Sequence, residues 1–324
     1  MNSFCATATA ALVSVTAGAL PAPASAQNFP NKPIRFIAGG AGSPADMRAR
    51  QIAQKLKESL GQPVVVDNRP GANGAIGARL AARSAADGYT LFNCSTLHML
   101  NDLLNPDAST RLDSAFVPIT KLTSGWLILV VHPAVPAASL RDFIDLAKAR
   151  PGALSYSASS QGSLSHLLGE WLKLKAGIKV REIYYKFSSA EIADVVGGHI
   201  DVSLNYFNIL GPYIRAGKLR AHAVASPKRL QVAPDIVTMT DAGLAGVEAN
   251  GWNGVCVPAG VPQPVIDLLY REVVKGLADP AIRDQMIATG AEPGGERPAE
   301  FAAFIRFELT KWGKVVKDAG IVLQ

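Results

Sequence analysis

A two-lobed α/β protein is the expectation, and three features of the sequence carry it. From Asn28 onward, short β-rich runs alternate with capped helical patterns, as in sheet covered by helices, and the expected sheet is parallel. A glycine-rich loop joins the first of these runs to the first helix. The alternation then restarts near residue 126, and the chain returns near residue 250, which gives at least two crossings between lobes and a cleft beside them.

The first run, Ile34 to Ala38, enters the loop Gly39 to Asp46. Ser43 is a natural N-cap, Pro44 suits the first helical position, and Asp46 completes a Ser-x-x-Asp capping box. Ala45, Ala49, Ile52, Ala53, Leu56 and Leu60 then fall at helical spacing, and Gly61 stands where a left-handed cap belongs. A strand over 63–67, a turn over 68–71, a small-residue helix over 74–83 and a strand over 89–94 follow. Phe116 to Leu122 and Trp126 to Val131 read as two strands separated by a break at Ser124-Gly125.

The second series opens with a helix capped by Ser139, with Asp142 three residues on. A strand over 154–158, a serine-rich loop, a helix from His166 to Lys175 closed by Gly177 and a strand over 180–185 come next. Ser188 opens another helix with Glu191 completing its capping box, and strands are predicted over 200–204 and 219–225. After the return through 247–257, three helices end the chain at 264–278, 280–289 and 298–319, with no internal repeat in view.

Residues 1–26 carry no charged side chain, an apolar run from Ala6 to Leu20 and a small-x-small ending at Ala24-Ser25-Ala26, the pattern of an export peptide cleaved after Ala26. Its first residues lack the usual Lys or Arg. Later apolar runs such as 126–131 have strand length, too short to cross a bilayer. The net charge of +6 suits an anionic ligand, but the bases are scattered with no aromatic-interleaved stripe, which argues against nucleic acid. Cys94 and Cys256 sit in apolar strand-like runs and read as buried thiols, with a disulfide between them left open. With no C-x-x-C motif and five scattered histidines, no metal site and no cofactor are expected.

The chemistry concentrates in the first loop, where Gly40, Ala41, Gly42, Ser43 and Asp46 surround a helix start. Glycines allow close approach, and free amides backed by the helix dipole favour a carboxylate or phosphate by roughly 1 kcal/mol. An ordinary capped turn is the alternative. Ser95 and Thr96 close the strand over 89–94 at the edge where α/β sheets bind ligands. The rival function is an oxidoreductase, because Gly40-x-Gly42-x-x-Ala45 followed by Asp67 imitates a dinucleotide fingerprint; Pro44 and the Ser-Pro-Ala-Asp cap are ordinary helix-start chemistry and speak against it. No Gly-x-Ser-x-Gly elbow surrounds Ser163, and 211–218 misses a phosphate loop. His166 reads as a surface or capping residue with no carboxylate patterned to orient it, and Tyr185, Trp126 and Trp252 as core or hinge packing.

Several motifs, in order and spacing, resemble the extracytoplasmic solute receptors of tripartite tricarboxylate transporters, the Bug-type receptors. They are Lys32-Pro-Ile-Arg35, Asp46-x-x-Ala-Arg50, Gly61-Gln-Pro-Val-Val-Val-Asp-Asn-Arg-Pro-Gly71 and Asp87-Gly-Tyr-Thr-Leu91. Further along stand Tyr185-Lys186, Gly217-Lys-Leu-Arg220, Trp252-x-Gly254, Pro258-Ala-Gly-Val-Pro262, Glu300-Phe-x-x-Phe304 and Lys311-Trp312. The resemblance implies a periplasmic-binding-protein type II-like fold, with lobe 1 at 27–125 plus 251–324, lobe 2 at 126–250, and no catalysis. It implies a small organic carboxylate pinched between the loop 38–46 and the loop 157–163, then passed to membrane transporter subunits by a periplasmic monomer. A receptor that reports to a signalling partner is the alternative. The second loop's own chemistry agrees, offering hydroxyls at Ser157, Ser159 and Ser160, the Gln161 amide, and the backbone of Gly162 and Ser163 before a helix. Where the family carries a Pro-aromatic pair this chain has Ala38-Gly39; Phe187 replaces a glycine, and Asn205 an acid. Phe187 and Asn205 are therefore expected at the ligand, which should be a carboxylate without a cationic group, covered by a ring or chain.

Overall fold

The computed structural model describes residues 29–105, 110–185 and 188–321. The export segment and Phe187 lie outside the described residues. The first half contains β1 (Ile34–Ala38), α1 (Pro44–Leu60), β2 (Val64–Asn68), a 3-10 turn (Ala72–Gly74), α2 (Ala75–Ala82), β3 (Thr90–Ser95) and α3 (Thr96–Leu104). Then come β4 (Phe116–Val131), α4 (Leu140–Ala149), β5 (Ser155–Ala158), α5 (Leu164–Ala176), β6 (Arg181–Tyr184), α6 (Ser188–Val196), β7 (Val202–Tyr206), α7 (Phe207–Arg215) and β8 (Arg220–Val224). β9 (Asn250–Pro258), α8 (Gln263–Leu277), α9 (Pro280–Ala288), β10 (Ala291–Pro293) and α10 (Pro298–Asp318) complete the order.

Local chemistry sets most of these bounds. Ser43 accepts from the Asp46 amide to start α1, and Gly61 ends it at φ 69°. Ser139 and Ser163 start α4 and α5 in the same way, so α5 begins two residues before the expected His166. Two helices were not anticipated: α3, whose N-cap residue makes no side-chain cap bond, and α7, which carries Pro212 inside it.

The strands run β2-β1-β3-β9-β4-β7-β5-β6, with β8 and β10 also on β4. The expected parallel sheet is therefore mixed: β1 is parallel to β2 and β3, β5 is parallel to β6 and β7, and the strands between them are antiparallel. The expected break at Ser124-Gly125 is also absent. β4 runs unbroken through both residues, because Ser124 pairs with Trp252, Gly125 with Gly251 and Trp126 with Asn250.

That long strand orients the molecule. Its first part, Phe116 to Trp126, carries β9 and through it β3, β1 and β2; its last part, Leu127 to Val131, carries β7 and β8. β3 is antiparallel to β9, which is antiparallel to β4, so β3 and β1 run with β4, toward its last part. β7 and β5 run against it, toward its first part. The C-terminal ends of the two parallel sets thus point at one another. Ser95 lies level with Asn253 and hence with Thr123, whereas Tyr206 lies level with Leu127. Four residues of strand separate these levels, about 13 Å at 3.3 Å per residue.

One buried cluster packs α1 and α8 on the first part of the sheet, and a second packs α6 and α7 on the other part. A third is continuous across both, from Met99 and Phe301 to Phe143 and Leu168. In it Trp312 of α10 meets Trp171 of α5 edge-on, ring centroids 5.5 Å apart. Cys94 and Cys256 are bonded as a disulfide joining β3 to β9, which replaces the reading of two separate thiols.

Candidate functional site

The loop after β1 is closed by its own side chains. Ser43 N–H donates to the Gly40 carbonyl at 3.2 Å, a turn that places Gly42 at φ 75°, a conformation glycine adopts without strain. Asp46, expected to bond back to the cap residue, instead accepts from the Gly42 amide one residue earlier, at 2.9 Å. Its carboxylate also accepts from Arg50 Nε at 3.1 Å and Asn68 Nδ2 at 2.7 Å. Burial alone would raise the Asp46 pKa, but the bonds from Asn68, Gly42 and Arg50 outweigh it and hold the group below its ordinary value. The amides of Ala41 and Ala45 have no protein acceptor among the described residues and stay available to a ligand.

The loop after β5 repeats this construction. Ser163 N–H donates to the Ser160 carbonyl at 3.2 Å, Gly162 sits at φ 77°, and the Gly162 amide donates to His166 Nδ1 at 3.1 Å. The two cap serines share a backbone conformation, φ −70° and ψ 158° at Ser43 against φ −70° and ψ 163° at Ser163. Behind each loop, the residue paired with the last strand alanine reaches the helix: Asn68, opposite Ala38, bonds Asp46, and Tyr184, opposite Ala158, bonds His166 Nε2 at 3.0 Å. A structural repeat that the sequence conceals therefore supplies both loops. His166 is buried rather than on the surface, and Glu170 lies 3.9 Å from its Nε2, the carboxylate that sequence reading missed. The signal was present as an i,i+4 pair on one helix face.

The other expected contacts distribute unevenly. Ser159 joins the second loop, its amide donating to Ser165 Oγ at 3.1 Å. Ser157 and Asn205 lie deeper. Ser157 Oγ and Ser203 Oγ donate to Glu191 Oε1 at 2.9 and 3.0 Å, and Asn205 Nδ2 reaches both Glu191 oxygens at 3.3 Å. The Asn205 carbonyl oxygen accepts from the Tyr206 amide, so this side chain is committed within its own half. Glu191, read as a capping-box residue, is fully buried in this cluster instead. Ser95 Oγ contacts His98 Nδ1 at 2.9 Å, while Thr96 Oγ1 accepts from the Trp252 amide at 2.8 Å and ties α3 to β9. Gln161 is half-buried beside Gly162.

Asp67, the acid of the imitated dinucleotide fingerprint, is occupied by Arg35 Nε at 2.7 Å and Arg69 Nε at 2.9 Å. Among the described residues no group of three metal-ligating side chains comes together, and no helix is long and apolar enough to cross a membrane. A cavity of about 460 Å³ lies between α6 and α7, lined by Ile192, Ile209 and Tyr213 among others, and none of the loop residues borders it.

Two sheet halves joined through shared strands, with matched helix-start loops at facing edges, define the class of the two-lobed α/β binding proteins. Residues 48–321 match the tripartite tricarboxylate transporter family receptor, TctC, and the chain belongs to that family, which consists of periplasmic solute-binding receptors and not enzymes. It is 36% identical to Protein BugT of Bordetella pertussis over 312 residues, 95% of each chain. Among solved structures it is similar to R. palustris Rpa4515 with adipate, at 30% identity and TM-score 0.79, covering 91% of this chain and 99% of that one. It is also similar to MatC from Rhodopseudomonas palustris with bound malate, at 27% identity and TM-score 0.75, covering 89% of this chain and 100% of that one.

Proposed function

We propose that this chain captures a small organic carboxylate between the loop 38–46 and the loop 157–163 and delivers it to membrane transporter subunits. Residues 27–125 plus 251–324 form one lobe and 126–250 the other, released to the periplasm after cleavage behind Ala26. The observation that carries the reading is the matched pair of loops, each with a left-handed glycine, a serine cap and amides at a helix start, on strand ends directed at one another. Helix-start amides on both sides suit an anion. The relatives whose solved structures carry adipate and malate hold ligands of that kind.

The ligand we infer lacks an ammonium group, because the Asn205 amide is spent on Glu191 and offers no charge to an amine. Met47, Leu97 and Ile76 are exposed in the first turns of α1, α3 and α2, the ends of those helices nearest the facing edge, and Tyr184 is exposed at the end of β6. They give an aliphatic chain or ring apolar surface to cover.

Calorimetry with adipate, malate, citrate and benzoate tests the proposal. At least one acid should bind, and Ser43→Leu combined with Ser163→Leu should abolish binding while the fold persists, each lost cap costing about 1 kcal/mol. Unchanged affinity in the double variant refutes this placement of the ligand.

A further inference from the structure

We propose that His166 is a positioning residue that holds the second loop in its anion-binding shape only while its ring is neutral, so that carboxylate affinity falls as the ring takes up a proton. The inference rests on the receptor function proposed above and adds a pH dependence confined to one lobe. Gly162 N–H is a donor, so His166 Nδ1, 3.1 Å away, must present its lone pair. The ring proton then sits on Nε2, directed at Tyr184 Oη at 3.0 Å. A charged ring carries a proton on Nδ1 as well and sets two donors against each other. The Gly162 amide then loses its acceptor, and with it the restraint that keeps this glycine at φ 77° beside the capping serine.

The first loop shows what the contact is for. There the same position is filled by Asp46, whose oxygen accepts from Gly42 N–H at 2.9 Å. An acceptor four residues beyond the left-handed glycine thus occurs in both loops, made from different side chains. Asp46, its pKa held below the ordinary carboxylate value, stays an acceptor at mildly acidic pH, whereas an imidazole stops being one at Nδ1 once it is protonated.

The groups facing His166 are Glu170 and Lys173 on its own helix, Glu182 and Tyr184 on β6, and Tyr156 on β5, whose hydroxyl is 2.8 Å from Glu170 Oε1. Burial pushes the imidazole below its ordinary 6.5, and Glu170 and Glu182 oppose that.

The test uses wild type, His166→Asn and His166→Ala, titrated from pH 7.5 to 4.5. The Asn oxygen replaces Nδ1 as acceptor and does not titrate. In ¹⁵N-labelled, ligand-free protein, Gly162 amide protection should fall together with His166 ring protonation in wild type, persist in His166→Asn and be missing throughout in His166→Ala. With whichever of adipate, malate, citrate or benzoate binds, wild-type affinity should drop by about tenfold per pH unit below the ring's pKa relative to His166→Asn. Ligand protonation affects both proteins alike. Parallel pH profiles in wild type and His166→Asn, or a Gly162 amide that stays protected on a charged ring, overturn the inference. Failure of every acid to bind overturns the receptor proposal instead, and the ligand-free amide titration still decides the role of His166.

Discussion

Replacing Asp46 by Asn removes one charge and no volume, so its effect measures what the carboxylate does for the first loop. Three donors converge on it: Gly42 N–H and Arg50 Nε on Oδ2, and Asn68 Nδ2 on Oδ1. An amide has one acceptor oxygen. If that oxygen faces Gly42 and Arg50, the new NH₂ meets the NH₂ of Asn68, which is held in place because it donates to the Gly39 carbonyl at 2.9 Å while its oxygen accepts from Arg50 Nη2 at 2.8 Å. If the amide turns over, Gly42 and Arg50 both face a donor. Either way a donor that is buried or part-buried loses its partner, a cost of about 1–3 kcal/mol. At roughly 2–4 °C per kcal/mol, thermal unfolding at pH 7 should shift down by about 2–12 °C. The pH dependence has a definite sign. The Asp46 pKa is depressed in the fold, so its contribution is complete above the unfolded value of 3.8 and is lost as pH falls through the lower folded value. The gap between wild type and Asp46→Asn should therefore narrow between pH 4 and pH 2.5. Equal unfolding temperatures at pH 7, or a gap unchanged at pH 2.5, refute the reasoning.

Two further outcomes are expected. Cys94→Ser with Cys256→Ser opens a loop closed over a sequence separation of 162 residues, for which chain entropy gives about 5 kcal/mol; denaturant unfolding should show a loss of about 2–5 kcal/mol. Burial pushes the Asp102 carboxyl up to about 6, against the bond from the Leu112 amide, so ionising it weakens the fold as pH rises from 4 through 6. Asp102→Asn should remove that component, on the order of 1–3 kcal/mol in the unfolding free energies from urea titrations compared at pH 4 and 7.5. His98 and His222, both lowered to about 4 by burial, act the opposite way and destabilise the fold as pH falls from 6.5, equally in wild type and variant, so the difference isolates Asp102.

Helix starts were the most legible part of this sequence, because a serine followed three residues later by an acid describes a purely local geometry, met at α1 and α4. The same spelling misled at Glu191, whose side chain reaches Ser157 on β5 and Ser203 on β7, partners no local pattern reveals. Gly125 read as a strand break because glycine is a weak strand former. Its place in β4 follows from tertiary packing: the Tyr206 ring lies over Gly125 and Gly251, and a Cβ on Gly251 would come within 2.0 Å of the Tyr206 hydroxyl. The disulfide depended on the pairing of β3 with β9, and sequence does not fix such a register. Of the site, the two loops were visible as turns onto capped helices. Their likeness was not, since Asp46 and His166 do the same task with unlike chemistry, and α1 and α5 differ in length.

Both loops should meet one ligand carboxylate, and a crystal structure of this chain with whichever of adipate, malate, citrate or benzoate it binds tests that most directly. Carboxylate oxygens within about 3 Å of amides in both 40–46 and 159–165 are the predicted result. A ligand touching one loop alone, or seated in the groove between α6 and α7, would contradict it.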